Sequence, residues 1–131
     1  MKVYLAGPIN GCTDYEAIDW RLHAQARLGA DAVIDPMRRD YRHKPVDPAE
    51  LVYADLEDIE NSTALLANCW KQSAGTLMEL VYAQRVFGNV PTYVVWPTFA
   101  EPSPWIVHHA TYIFNNLDDA LNALLRQSLR P

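Results

Sequence analysis

Along the chain, short apolar runs alternate with longer segments whose apolar residues recur every three or four positions, and glycine or proline separates the two kinds. Residues 3–6 predict a first strand, closed by the breaker pair Gly7-Pro8. Thr13 or Asp14 is placed to cap a helix that runs to residue 28 and stops at Gly29, with Ala17, Leu22, Ala24, Ala26 and Leu28 as its apolar positions. Residues 32–34 predict a second strand ended by Asp35-Pro36, and the charged, proline-punctuated stretch 37–48 reads as a loop. A helix over residues 48–61 follows, with Leu51, Val52, Leu56 and Ile59 turned inward. Residues 64–67 are apolar throughout, as expected of a strand covered on both faces. A helix over 75–87 ends at Gly88, and residues 92–96 predict a fourth strand. After one further helix, residues 111–114 predict a fifth strand, followed by a helix over 117–129.

Alternation of this kind predicts an α/β fold, a five-stranded parallel sheet with helices on both faces, in a single domain spanning residues 1–131. In such open sheets ligands lie beyond the carboxyl ends of the strands. The loops that matter are therefore 7–14, 35–47, 68–76 and 97–103.

Composition narrows the partners. Half of the chain is apolar, enough for one buried core, and the formal net charge is −5. An acidic surface argues against a grip on a nucleic-acid polymer, though not against a small anion held by a few local donors. The two cysteines, Cys12 and Cys69, are far apart and have no metal-ligand spacing. The start, MKVYLAGPI, carries too short an apolar run for a signal peptide or a membrane span, so a soluble cytoplasmic domain without membrane contact is expected.

Candidate chemistry gathers in the predicted loops. Ser73, Gly75 and Thr76 stand where a strand turns into a helix, a place where free N–H groups attract an anion; Ser73 reads first as a simple N-cap, and both can hold at once. Glu79 lies in the second turn of that helix among Leu77, Met78, Leu80, Val81 and Ala83, a helix apolar nearly all round and so expected to be buried. A carboxylate there loses hydration and needs a partner or a reaction to serve; the alternative is an exposed glutamate or one paired with a distant arginine. Asp55, Glu57, Asp58 and Glu60 read mainly as a solvated face, with Asp55 nearest the apolar border. A second carboxylate near Glu79 would complete the pair that glycosidic cleavage commonly uses. Tyr4, on the first strand, is either a core residue or a hydroxyl that orients a carboxylate. Arg38, Arg39, Arg42, His43 and Lys44 form the one basic run, a solvated loop or a flap over an anionic substrate. Trp70, Trp96 and Trp105 are packing residues or stacking platforms for a base. His108-His109 lacks a third ligand, and no metal or cofactor is expected. There is no GKT or GKS phosphate loop, no GxGxxG and no GxSxG elbow.

Three segments together carry a resemblance: VYLAGPING at residues 3–11, ADLEDIENSTALLAN at 54–68 and SAGTLMELVYA at 73–83. In their order and spacing the chain resembles the nucleoside 2-deoxyribosyltransferase family, which includes the 2′-deoxynucleoside 5′-phosphate N-hydrolases and the cytidylate N-glycosidases. The resemblance implies a flavodoxin-like parallel sheet and a homo-oligomer with active sites shared between subunits. By position it makes Glu79 the nucleophile on the anomeric carbon, Tyr4 the group that positions it, and Asp55 the residue that binds or protonates the departing base. Gly7 and Gly11 fall on glycines of the first loop, near the sugar and its 5′ end. Ser73, six residues before the nucleophile, matches the monophosphate hydrolases, whereas the transferases carry an aspartate there. Ser103 falls on a second phosphate-binding serine reached from the neighbouring subunit. Asn10 replaces an arginine of those hydrolases, and Thr63 an aspartate at the start of the third strand. The implied activity is cleavage of the N-glycosidic bond of a nucleoside 5′-monophosphate. A deoxyribosyltransferase acting on nucleosides and a non-catalytic nucleotide-binding module are the alternatives.

Overall fold

Five short strands, β1 (Val3–Ala6), β2 (Val33–Ile34), β3 (Ala64–Asn68), β4 (Thr92–Val95) and β5 (Tyr112–Phe114), form one sheet in a computed structural model that describes residues 1–97 and 100–129. All four pairings are parallel, and the order is β2-β1-β3-β4-β5. The predicted α/β architecture is present, with the strand order of flavodoxin-like sheets. The chain leaves β1 toward one edge and crosses back to β3 on the other side. The carboxyl ends of β1 and β3 therefore flank the switch point, where such sheets open a ligand crevice.

Helices α1 (Asp14–Leu28), α2 (Pro48–Glu60), α3 (Ala74–Val81), α4 (Pro104–His109) and α5 (Leu117–Ser128) cover the sheet. Each begins on a side chain that accepts a hydrogen bond from a backbone N–H of the first turn: Thr13, Asp47, Ser73, Ser103 and Asn116. At Thr13 the cap is reciprocal, because Glu16 reaches back to the Thr13 N–H at 2.9 Å. Alternation along β1 divides the core. Val3 and Leu5 pack with Trp20 and Ala24 of α1 and Leu121 of α5. Tyr4 and Ala6 face the other way, toward Ile59 of α2, Leu80 of α3 and Ile106 of α4.

Several expectations shift. In α1 the buried stripe is Ala17, Arg21, Ala24 and Leu28, with Trp20 beside it, while Leu22 and Ala26 are exposed. The spacing of that stripe, 4-3-4, is the helical one, and the apolar residues had been assigned across two faces. Val52 is exposed for the same reason, leaving Ile59 as the buried residue of α2. The helix after β3 is not buried all round: Met78, Tyr82 and Val86 are exposed. It changes to a π-helical turn at Tyr82–Val86 and ends at Gly88, whose φ of +79° suits glycine. The stretch after Asp35 contains a 3₁₀ turn at Pro36–Arg38. Cys12 and Cys69 are both free thiols. Thr98 and Phe99, in the predicted loop after β4, lie outside the described residues. Among the described residues no helix is long and apolar enough to cross a membrane, and no cluster of three metal-ligating side chains occurs.

Candidate active site

The site is built from the ends of β1 and β3 and from two helices on one face of the sheet. Tyr4, the second residue of β1, turns its ring toward α2 and α3 and is 1 % exposed. Its hydroxyl donates a short hydrogen bond to Oε2 of Glu79, on the second turn of α3. A fixed strand and a capped helix thus hold donor and acceptor together across 75 residues of sequence.

Burial, only partly offset by the Tyr4 hydrogen bond and by the charge of Arg21, pushes the Glu79 carboxyl up to about 7, and the nearby Asp55 adds to the rise. Burial together with the facing carboxylates Glu79 and Asp55 raises the Tyr4 phenol far above its usual range, so it remains a proton donor. Asp55 is half-buried on α2, where Arg39 Nη2 reaches its Oδ1 at 3.1 Å. The same Nη2 lies 2.6 Å from Asp58 Oδ2, and Arg38 lies 2.8 Å from Asp58 Oδ1. The two aspartates differ in consequence. Burial raises the Asp55 carboxyl despite Arg39, whereas at Asp58 the two arginines outweigh burial and hold it below the usual carboxylate range. Asp55, not Asp58, is the member poised to carry a proton.

Of the residues singled out from sequence, Tyr4, Asp55 and Glu79 come together. Ser73 caps α3, its Oγ accepting from the Thr76 N–H at 3.5 Å, and Ser103 caps α4 in the same way toward Ile106 at 3.4 Å. Gly75 is exposed in the first turn of α3, and a β-carbon there would meet nothing within 4 Å. Asn10 and Gly11 are exposed in the loop after β1, where Gly11 has a φ of +75°. Gly7 faces inward instead: a β-carbon there would sit 2.5 Å from the Trp20 ring, so packing against α1 requires the glycine. The basic loop is not a free flap. Arg38 and Arg39 bind Asp58 and Asp55, and Arg42 binds Asp40 and Asp14. Thr63 is tied to Lys2 at the amino end of the sheet, accepting from its N–H at 2.8 Å. Among the described residues Thr63 hydrogen-bonds Lys2 and neither Asp55 nor Glu79. His109 is buried with Nδ1 2.7 Å from the Trp105 carbonyl oxygen, and His108 meets Arg85.

The sequence reading passed over Arg21 and the clamp by Arg39. Arg21 was detectable, because it falls on the stripe with Ala17, Ala24 and Leu28, where a charge is out of place. Arg39 was not, since nothing local ties a loop arginine to an aspartate 16 residues later.

An apolar groove of about 360 Å³ runs between α3 and α4, walled by Leu77, Met78, Val81, Trp105 and Ile106, with Ser103 at its edge. Neither Tyr4 nor Glu79 lines it, so this groove and the carboxylate centre are different features of α3.

This arrangement defines an α/β protein with a tyrosine-supported carboxylate at the switch point, and solved structures share its fold. A 2-deoxyribosyltransferase from the psychrotolerant bacterium Bacillus psychrosaccharolyticus is 21 % identical over 93 % of this chain and 91 % of that chain, with a TM-score of 0.71. A 2-deoxyribosyltransferase from Leishmania mexicana is 17 % identical over 98 % and 99 %, with a TM-score of 0.67. A CMP N-glycosidase from Clostridium botulinum is 15 % identical over 97 % and 99 %, also with a TM-score of 0.67. No curated protein sequence matches the chain. Residues 1–92, which contain Tyr4, Asp55 and Glu79, match the family described as a domain of unknown function (DUF4406), and the chain belongs to that family.

Proposed function

We propose that this protein cleaves the N-glycosidic bond of a nucleoside 5′-monophosphate, a 2′-deoxy one by preference, and releases the free base. The observation that carries the reading is the hydrogen bond between Tyr4 of β1 and Glu79 of α3, with Asp55 close enough to raise the Glu79 carboxyl. An oxygen of ionised Glu79 attacks C1′ as the bond to the base breaks. The base leaves with the bonding electron pair and takes a proton from Asp55, whose raised carboxyl suits an acid. Water then gives a proton to Asp55 and its hydroxyl to C1′, breaking the bond to Glu79, freeing the sugar phosphate and restoring both carboxyl groups. Tyr4 holds the attacking oxygen in place throughout.

Phosphate is assigned to the start of α3, where Ser73, Gly75 and the loop residues Asn10 and Gly11 present polar and backbone groups at the same end of the sheet. The relatives in fold support the class of reaction, since those named act as 2-deoxyribosyltransferases or as a CMP N-glycosidase. We assign the groove between α3 and α4 to a second copy of the chain, which brings Ser103 toward a neighbour's phosphate. The exposure of Trp105 at 75 % and Met78 at 63 % supports a covered apolar face.

The test is chromatographic detection of free base. The protein is incubated with each common nucleoside and each 5′-monophosphate, with and without a second base, beside Glu79→Ala. Base released from a monophosphate without an acceptor, and lost in the variant, is the expected result. A new nucleoside formed only with the second base would make the protein a transferase. Binding without turnover, unchanged by Glu79→Gln, would make it a binding module.

A further inference from the structure

Arginine is almost never fully enclosed unless it is well paired, yet Arg21 is 1 % exposed. Its Nη1 donates to the Ala17 carbonyl at 2.6 Å and its Nη2 to the Gly7 carbonyl at 3.0 Å. Its Nε lies 3.5 Å from Asp35, at the end of β2, and its Cζ stands 4.5 Å from the centroid of the Trp20 ring. Two carbonyls and one loosely approached carboxylate are modest compensation for a guanidinium removed from water. The other groups that face it are Tyr4, Glu79 and Cys12. α1 lies on the face of the sheet opposite α2 and α3, so this cation acts on the Tyr4–Glu79 pair from the other face of the sheet.

We propose that Arg21 is a positioning residue of the Glu79 centre: it pins the Gly7 carbonyl at the end of β1 and sets a fixed positive charge behind the Tyr4–Glu79 pair. The role rests on Glu79 being the reacting carboxylate. The groups that face Glu79 are Tyr4 from β1, Asp55 from α2 and Arg21 from α1. Burial and Asp55 favour its protonated form, while the Tyr4 hydroxyl and Arg21 favour the ionised form that can attack carbon. Asp35, 3.5 Å from the Arg21 Nε, tempers the cation.

These signs give opposed outcomes for two substitutions. Arg21→Gln removes the cation and raises the titration midpoint of Glu79 by on the order of one pH unit. Asp35→Asn leaves Arg21 less neutralised and lowers the midpoint. Arg21→Lys keeps the charge without the two-pronged grip on Gly7 and Ala17, and gives a smaller rise than the glutamine variant. The measurement is a carbon-13 NMR titration of full-length protein labelled at the glutamate carboxyl, with the Glu79 signal identified by its loss in Glu79→Gln. Near-ultraviolet circular dichroism verifies that each variant is folded. If Arg21→Gln does not fold, Arg21→Lys against Asp35→Asn decides by the direction of displacement. A midpoint that stays put in the folded variants, or moves the same way in both, overturns the proposal, because a purely structural role would lower stability without opposing shifts. Base release from wild-type protein is scored separately. Release with an unmoved midpoint removes the role of Arg21 and leaves the proposed reaction standing. Opposed shifts without any release remove the reaction, and with it the assignment of Arg21 to a catalytic centre.

Discussion

A carboxylate that attacks carbon must be ionised when it attacks, and Glu79 sits where burial opposes ionisation. Among the described residues its hydrogen-bond donor is the Tyr4 hydroxyl, so that bond bears on both aim and charge. Tyr4→Phe is expected to lower kcat by about ten- to a hundredfold, the value of one hydrogen bond to a charged group, with KM little changed. The same variant should move the acid limb of kcat/KM upward from the value near 7 expected of wild type, since the Tyr4 bond favours the ionised form. A pH–rate profile of both proteins checks the two effects together; an unmoved limb would detach Tyr4 from the titration of Glu79. Asp55 and Asp58 show how fine the distinctions are at this scale. Arg39 bridges both, yet one carboxyl rises and the other falls, because burial outweighs the arginines at Asp55, while Arg38 and Arg39 both hydrogen-bond Asp58 and outweigh burial there.

At the scale of elements, the site depends on how α1 and α3 meet the ends of β1 and β3. Gly7 is the point of closest approach to α1. Gly7→Ala places a methyl group 2.5 Å from the Trp20 ring and should destabilise the fold by about 1–3 kcal/mol, read as a lower denaturant midpoint. The start of α3 allows a cleaner separation of stability from recognition. Aspartate caps a helix as well as serine does, so Ser73→Asp should leave the melting temperature unchanged. Its charge would repel a phosphate, and kcat/KM for a monophosphate should fall by about a hundredfold relative to that for the nucleoside. Equal losses on both substrates would remove the phosphate from this end of α3. Helix starts were the most legible elements in the sequence, because a cap is a local hydrogen bond between residues two or three apart. The predicted caps at Thr13 and Ser73 are both present. The inward faces of α1 and α2 were less legible, since Leu22 and Val52 are apolar and yet exposed. The π-helical turn at Tyr82–Val86 left no signal in the spacing.

For the molecule as a whole, the site is a cost to stability that depends on pH. The Glu79 carboxyl rises from its ordinary 4.5 to about 7 on folding, so the folded state holds this proton more tightly than the unfolded chain. The stability it lends is complete below about 4.5 and is lost as pH rises through about 7. Glu79→Gln should therefore match wild type near pH 4 and exceed it above pH 8 by on the order of 2–3 kcal/mol, measured by denaturant titration at both pH values. A constant difference across that range would mean that Glu79 is ionised at little cost. At the same scale, Trp105→Glu is expected to convert an oligomer to smaller species in sedimentation velocity, with wild-type mass unchanged only if the groove between α3 and α4 is no interface. By itself the sequence determined the order of strands and helices, the parallel sheet, cap candidates at the starts of α1 and α3, and the identity of Tyr4, Asp55 and Glu79 as candidates. These are fixed by apolar period, turn chemistry and short motifs, all of which act over a few residues. Only the tertiary structure decided that Tyr4 bonds Glu79, that Arg39 clamps Asp55, that Gly7 packs on Trp20 instead of facing the crevice, and that Arg21 is buried behind the pair. Those contacts join residues from 13 to 75 positions apart, and their strength comes from exclusion of water, which no local pattern records until the sheet is closed by its helices.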